Sequence, residues 1–155
     1  VEVTQEIVKE PANPALEQQI IEEPMDAGRC LVYADWLLEQ KHPRGELGVL
    51  QAQRLERPDD AALAKAERKL FEAHPTLAPQ RVIESAKRTK RTNESDDDVS
   101  TIRWENGFIA AARLALASDR LPYTVRELVR ELPGHPAARF LRELRIGSLG
   151  PDEHD

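Results

Sequence analysis

The sequence predicts an α+β fold in which an N-terminal helical bundle module precedes a small leucine-rich-repeat-like β/α piece. Three observations support this class. Apolar residues recur at helical spacing through the first half of the 155 residues. The run 87–98 has no apolar side chain and divides the chain. After this run, an Asn-Gly pair at 106–107 lies between two strand-like segments, which is typical of a β-hairpin turn.

These features divide the chain into four parts. Residues 1–13 show no sustained period and are expected to form an extended arm. Residues 14–86 form the helical module, and the run 87–98, with four basic side chains before four acidic ones, is expected to be a charged flexible linker or loop. Residues 99–155 are expected to hold the hairpin followed by a β-α-β unit.

Capping residues indicate where the helices of the first half begin and end. Asn13 before a proline predicts the start of a short helix that Pro24 ends. Asp26 and Asp60 are suitable N-caps for the second and fourth helices. The expected helices cover 14–23, 27–40, 44–56, 61–73 and 79–88.

The second half contains two similar segments. Residues 111–116 (AARLAL) are matched 30 residues later (141 − 111) by residues 141–146 (LRELRI), with a predicted helix over 124–132 between them. Apolar residues at this spacing are typical of the strand of a leucine-rich repeat. A single β-α-β crossover would give the same spacing, so both interpretations stand.

The charge balance disfavours several classes of function. The chain has 28 acidic and 22 basic side chains and a net charge of −6, which is unlike a strongly basic nucleic-acid binder. The basic run at 87–91 has no interleaved aromatic residue and precedes an acidic run, so no nucleic-acid partner is expected. No segment approaches the ~18–20 apolar residues of a membrane span, and we expect a cytoplasmic protein.

Motifs that would indicate catalysis or cofactor binding are missing from the sequence. It contains no paired metal-ligand motif, nucleophile elbow or phosphate-binding glycine loop. The single cysteine, Cys30, lies on an expected apolar helix face and is interpreted as an inert thiol. His42 and His74 precede prolines at expected helix C-termini, where an imidazolium would interact favourably with the helix dipole. The sequence therefore predicts no enzyme, no metal and no cofactor.

The segment 29–51, RCLVYADWLLEQKHPRGELGVLQ, resembles the bacterial repeat-companion domain, a family found beside leucine-rich and other repeats. Its hallmark is a run like R-L-V-Y-A-D-W-L-E-E followed by D-P-R-G-E-x-I-x-L-Q. The chain departs from it at Cys30 and at His42, where the family usually has Asp. With weaker similarity outside this segment, the resemblance covers residues 14–149. It implies an accessory module in recognition or signalling proteins, with no catalytic residue to carry across.

The motif residues have a structural interpretation. The rings of Tyr33 and Trp36 are expected to pack between helices while their polar tips find hydrogen-bond partners. Asp35 is expected to pair with Arg44 across the corner between two helices, and Gly45 to allow close backbone approach there. The alternative is that these residues form a partner-binding hot spot. The full set is Arg29, Tyr33, Asp35, Trp36, Pro43, Arg44, Gly45 and Glu46.

The function predicted from the sequence is a non-catalytic protein-protein interaction or scaffold module, whose helices cap a repeat-like domain and whose partner is an unidentified protein. A second hypothesis is a regulatory module that binds a small anion at a corner formed by Arg29, Asp35 and Arg44. A third is a hydrolase with acidic or histidine side chains converging in a cleft. The expected partner-binding residues are Arg113, Ala115, Arg142, Glu143 and Arg145, which would project outward beside inward-facing Leu114, Leu116, Leu144 and Ile146.

Overall fold

A computed structural model describes residues 10–87, 99–116 and 124–147. Within these ranges, five helices precede a hairpin, and a sixth helix precedes the last strand, so the predicted α+β class with helices first and strands after is confirmed. Short 3₁₀-helices follow the fourth and sixth helices. The elements in chain order are α1 (Pro14–Glu22), α2 (Ala27–Glu39), α3 (Pro43–Glu56), α4 (Ala61–Ala73), α5 (Gln80–Lys87), β1 (Val99–Glu105), β2 (Phe108–Leu116), α6 (Val125–Gly134) and β3 (Glu143–Ile146).

Side-chain caps explain where the helices begin. The carboxamide of Asn13 accepts a hydrogen bond from a backbone N–H in the first turn of α1. Asp26 and Asp60 cap α2 and α4 in the same way, as the sequence predicts. In α6, Thr124 and Glu127 form a reciprocal capping box.

The three strands form a mixed sheet in the order β1-β2-β3. β1 and β2 are an antiparallel hairpin whose turn residues, Asn106 and Gly107, have φ angles of +48° and +93°. This confirms the predicted Asn-Gly turn, because both residue types tolerate positive φ. β2 and β3 are parallel, and α6 lies between them in the chain, so these elements form a single β-α-β unit.

The strand register corrects the predicted repeat alignment. Ala112 pairs with Leu144, and Leu114 pairs with Ile146, which is an offset of 32 residues (144 − 112) rather than 30. A shift of two residues keeps every side chain on the same face of a strand, so the apolar pattern could not reveal the error. The antiparallel β1 also makes the sheet unlike the parallel stack of a leucine-rich repeat array.

Buried apolar residues form three clusters, and each of them joins helices to the sheet. Phe108 of β2 packs with α1 and α2, and Trp104 of β1 packs with α3 and α4. The helical and strand-containing halves therefore share their core. The buried members of the largest cluster, which lies between the sheet and helices α5 and α6, are Val82, Ile109, Ala112, Leu114, Val125, Leu128, Leu132, Ala137 and Ala138.

Most of two predicted segments lies outside the described residues. These parts are residues 1–9 of the predicted arm (1–13) and residues 88–98 of the predicted linker (87–98). The longest helix in the described ranges, α3, has 14 residues, and none of the helices there combines the length and apolar character needed to span a membrane.

Candidate functional site

Of the motif residues of segment 29–51, Pro43, Arg44 and Gly45 lie at a corner where α2, α3 and the hairpin turn meet. Pro43 occupies the first turn of α3, where its missing N–H costs nothing. Gly45 and Gly48 bring α3 close to its neighbours, because a Cβ on Gly45 would lie 2.6 Å from the Ala34 carbonyl oxygen of α2. A Cβ on Gly48 would lie 2.8 Å from the carbonyl oxygen of Asn106 in the hairpin turn. The predicted close approach at Gly45 is confirmed.

Arg44 is the centre of this corner, and its side chain is completely buried. Its guanidinium forms a bidentate ion pair with the Glu10 carboxylate, with Nε 2.7 Å from Oε2. Nη1 donates a hydrogen bond of 2.8 Å to the carbonyl oxygen of Gly107. The guanidinium carbon also lies 5.2 Å from the centre of the Phe108 ring. One buried charge therefore connects the segment before α1, helix α3 and the hairpin turn.

The predicted pair between Asp35 and Arg44 is wrong. Tyr33 and Leu37 of α2 face the core, which leaves Asp35 exposed on the outer side of the helix. Asp35 makes no hydrogen bond or ion pair with another described residue. The carboxylate that neutralises Arg44 is that of Glu10, whose side chain is only 2% exposed.

Arg29 and Glu46, the other charged motif residues, lie nearer to solvent. Arg29 donates a 2.7 Å hydrogen bond to the carbonyl oxygen of Gln19 and has the carboxylates of Glu22, Glu23 and Asp26 within 3.3–3.8 Å. Glu46 is exposed in the first turn of α3. A small anion at the proposed Arg29, Asp35 and Arg44 corner would have to displace carboxylates that both arginines already hold. The geometry does not favour such a site.

Tyr33 links helices α1 and α2 to the end of the β-α-β unit. Its ring is fully buried and lies 5.6–5.7 Å, centre to centre, from the rings of Trp36, Phe108 and Phe140. The hydroxyl donates to Glu17 at 2.9 Å and accepts from Arg139 at 2.7 Å. Burial, with the hydrogen bond to Glu17, raises the pKa of Tyr33 to about 12. The predicted packing of a ring with a satisfied polar tip is confirmed for Tyr33.

His42 and His135 act as N-caps, not as cations at helix C-termini. Nδ1 of His42 accepts the N–H of Arg44 at 3.2 Å, and Nδ1 of His135 accepts the N–H of Ala137 at 3.0 Å. A ring nitrogen accepts a hydrogen bond only when it carries no proton. Burial lowers the pKa of His42, and burial with the nearby positive charge of Arg44 lowers the pKa of His135 to about 4. The C-terminal dipole interaction predicted for His42 is therefore wrong.

We expect the free energy of unfolding to decrease as the pH falls below about 6.5, because His135 is neutral in the folded state. Its folded pKa of about 4 lies below the ordinary 6.5, so its stabilising contribution is complete above pH 6.5 and is lost as the pH falls toward 4. Solvent screening of the half-buried ring limits the loss to about 1–2 kcal/mol between pH 7 and 5. Urea unfolding at the two pH values measures it. His135→Asn retains a capping oxygen that does not titrate, and an equal pH dependence in this variant would contradict the assignment.

The predicted partner-binding residues lie mainly on the face of the sheet that points away from α6. In one row across the sheet, Arg113 of β2 pairs with Thr101 of β1 and with Arg145 of β3. In the next row, Ala111 of β2 pairs with Arg103 of β1 and with Glu143 of β3. The side chains of Arg103 and Arg145 are 60% and 67% exposed. We call this surface the arginine face, and define it by Thr101, Arg103, Arg113, Glu143 and Arg145.

Arg142 and Ala115 do not belong to the arginine face. Arg142 donates to the Glu105 carboxylate at 2.7 Å and to the carbonyl oxygen of Pro24 at 3.1 Å, so it ties the loop before α2 to the sheet. Ala115 is fully buried, because the pairing of β1 with β2 is irregular near Val99. At this irregularity the Ser100 hydroxyl donates to the carbonyl oxygen of Ala115 and accepts its N–H, both at 3.0 Å. The prediction of an outward-facing Ala115 is wrong.

Leu144 and Ile146 of the last strand were predicted to face inward, but they are not buried. They share a face with the buried Ala112 and Leu114, as predicted, but remain 38% and 50% exposed. β3 is an edge strand, and no described element covers this part of it. The side chain of Leu116, also predicted to face inward, lies outside the described set.

The Cys30 thiol is half-buried beside a cavity of about 20 Å³, which is space for about one water molecule. Burial raises its pKa, which disfavours the reactive thiolate. Among residues 10–87, 99–116 and 124–147, no group of three or more His, Cys, Asp or Glu side chains is arranged to hold a metal ion.

Comparison with known proteins adds no family to this description. No protein-family model, curated protein or solved structure matches the chain. The arginine face and the buried Arg44 corner are therefore interpreted from their own chemistry.

Sequence reasoning missed two residues that the geometry makes important. Glu10 lies in a segment without periodicity, and nothing in its spacing connects it with an arginine 34 residues later. Arg103 belongs to a strand that was predicted correctly, but its place beside Arg113 and Glu143 follows only from the hairpin register. The pairing shifts by one residue between Trp104 and Arg103, so a register counted outward from the Asn-Gly turn would have placed Arg103 opposite Ala110 instead of Ala111.

Proposed function

We propose that the chain is a non-catalytic protein-interaction or scaffold module of a bacterial cytoplasmic recognition or signalling protein, and that its arginine face contacts an acidic protein partner. The observation that carries the proposal is the presence of three arginines on one sheet face of a chain whose net charge is −6. Arg103 lies 3.9 Å from Glu105 and Arg145 lies 2.5 Å from Glu143, but both arginine side chains remain mostly exposed and can contact a partner. A local cationic patch on an acidic protein attracts an acidic surface in one orientation, while the remaining negative charge disfavours others.

The packing of the helices supports the proposal that they cap the strand-containing half. Arg44 binds the hairpin turn, and Phe108 and Trp104 extend from the hairpin into the helical clusters. These contacts hold β1 and β2 against the helices, while Thr101, Arg103, Glu143 and Arg145 of the arginine face stay exposed and Arg113 is partly exposed. A rigid sheet presents charged side chains from an already ordered backbone, so binding carries no cost of ordering the backbone.

Charge reversal on the arginine face tests this function. We expect the double variant Arg103→Glu/Arg145→Glu to lose a partner that the native chain captures from its own cells, because like charges then face each other across the interface. The matched control is Lys65→Glu/Lys69→Glu, which makes the same charge change on the exposed side of α4. Affinity capture with quantitative mass spectrometry, and circular dichroism to verify folding, compare the variants.

The result depends on the difference between the two double variants. A protein captured by the native chain and by the α4 control, but not by the arginine-face variant, supports the proposal. Its capture should also weaken as salt is raised, since salt screens exposed charges. If no captured protein distinguishes the two variants, the arginine face is not the interaction surface.

A further inference from the structure

Strand β3 presents an unpaired edge with an apolar side. β3 pairs with β2 along one edge, and no strand among the described residues pairs with the other. All four β3 residues are exposed, including Leu144 and Ile146 on the side that continues the core. An edge strand of this kind carries free backbone donors and acceptors and is a template for another strand.

The backbone direction along β3 identifies the groups at this edge. The N–H of Gly147 donates to the carbonyl oxygen of Leu114 at 2.9 Å, so Gly147 directs its backbone toward β2. Successive residues of a strand direct their N–H and C=O groups to opposite sides in a parallel ladder. Leu144 and Ile146 therefore direct theirs to the free edge.

The charges of β3 are self-complementary in one antiparallel register. When two copies pair around a two-fold axis at Leu144, each Glu143 lies opposite the partner's Arg145, and the two Leu144 residues exchange both backbone hydrogen bonds. A two-fold axis at Ile146 would instead place Arg145 opposite the partner's Gly147, without a charge pair. Parallel in-register pairing would place like charges side by side.

We propose that two copies of this chain associate through antiparallel pairing of their β3 strands, centred on Leu144. The paired strands make the two three-stranded sheets continuous. Arg145 already pairs with Glu143 of its own strand at 2.5 Å, and in the dimer it gains the partner's Glu143 on the side opposite Arg113. This inference rests on the proposed interaction function and names a second copy as one of its partners.

Single charge reversals test the register. Sedimentation velocity of the full chain over a range of concentrations gives the dissociation constant of the dimer. We expect Glu143→Arg and Arg145→Glu each to raise it by at least about tenfold, because each change converts two attractive pairs into two repulsive ones. An equimolar mixture of the two variants should associate again, since the Glu143→Arg strand then faces an acidic Arg145→Glu strand. Both side chains are 48–67% exposed, so folding should be unaffected.

Arg103→Glu is the matched control, because Arg103 lies on the same sheet face but on the opposite edge strand. It should leave the dimer intact. Hydrogen exchange adds an independent measurement, in which the amide N–H of Leu144 should become protected as the protein concentration rises. A native chain that stays monomeric at all concentrations, or single reversals that dimerise as well as the native chain, would overturn the inference.

The same variants separate this inference from the proposed function. Glu143→Arg keeps every arginine of the arginine face, so a monomeric Glu143→Arg chain that still captures the acidic partner supports both proposals. If the native chain is monomeric but Arg103→Glu/Arg145→Glu still loses the captured partner, the dimer is wrong and the proposed function stands. If the dimer forms as described and no partner distinguishes the variants, the contact with an acidic protein is wrong.

Discussion

Glu10→Ala is expected to lower the free energy of unfolding by about 3–5 kcal/mol, because it leaves the Arg44 guanidinium buried without its counter-charge. Arg44 is 0% exposed and the Glu10 side chain 2% exposed, so neither charge can recover hydration while the corner stays closed. The remaining bond from Arg44 to the Gly107 carbonyl cannot neutralise the cation. Urea unfolding followed by circular dichroism measures the change.

The matched control is an ion pair of similar length near the surface. Arg54 of α3 lies 2.7 Å from Glu67 of α4, but its side chain is 40% exposed. Arg54→Met should cost no more than about 1 kcal/mol, because solvent screens an exposed pair. If Glu10→Ala costs no more than Arg54→Met, the arm is not anchored at Arg44.

Removing both charges distinguishes desolvation from simple loss of contact. Replacing a buried ion pair by apolar residues of similar volume is often nearly neutral, whereas removing one partner is strongly destabilising. We therefore expect Glu10→Leu/Arg44→Met to be more stable than Glu10→Ala. Additive losses in the double variant would mean that the two side chains stabilise the corner independently.

Local chemistry explains why the helices and the hairpin could be predicted from the sequence. Asp26 and Asp60 cap the first turns that directly follow them, and Asn106 and Gly107 adopt the positive φ angles that their residue types tolerate. Each of these predictions depends on a backbone group within a few residues of the side chain that recognises it. His42 shows the limit of such reasoning, because one histidine before a proline can end one helix or cap the next.

The pairing of charges was less predictable, because it depends on tertiary contacts. Asp35 is close to Arg44 in sequence and was the natural candidate, but its helix face turns away from the corner. Glu10 reaches the guanidinium only because the short segment before α1, residues 10–13, brings it to the start of α3. With 28 acidic side chains in the chain, neither spacing nor composition could select this one.

The arginine face likewise shows what local pattern predicts and what only the strand register determines. Arg113, Glu143 and Arg145 were expected to point away from the apolar side of their strands, and they share one face of the sheet. Ala115 fits the same alternation but is buried, because a register irregularity near Val99 interrupts the alternation. Alternation predicts the face of a residue within a regular strand, but not beyond a bulge.

Gly45→Ala is expected to lower the free energy of unfolding by about 2–3 kcal/mol, although alanine favours a helix by about 1 kcal/mol over glycine. The added Cβ would lie 2.6 Å from both the Ala34 carbonyl oxygen and the Leu38 backbone nitrogen. These are backbone atoms of α2, so a side-chain rotation cannot relieve the overlap and the two helices must separate. Thermal and urea unfolding measure the loss.

Gly134→Ala provides the control, because a Cβ at Gly134 would meet no atom within 4 Å. This variant should be neutral or slightly stabilising, since alanine lowers the entropy of the unfolded chain. Separation of α2 from α3 would also disturb Arg44, which follows Pro43 directly at the start of α3. Gly45→Ala should therefore cost less in a Glu10→Leu/Arg44→Met background, where no buried charge depends on the corner. An equal cost in both backgrounds would show that the helix crossing and the ion pair stabilise the fold independently.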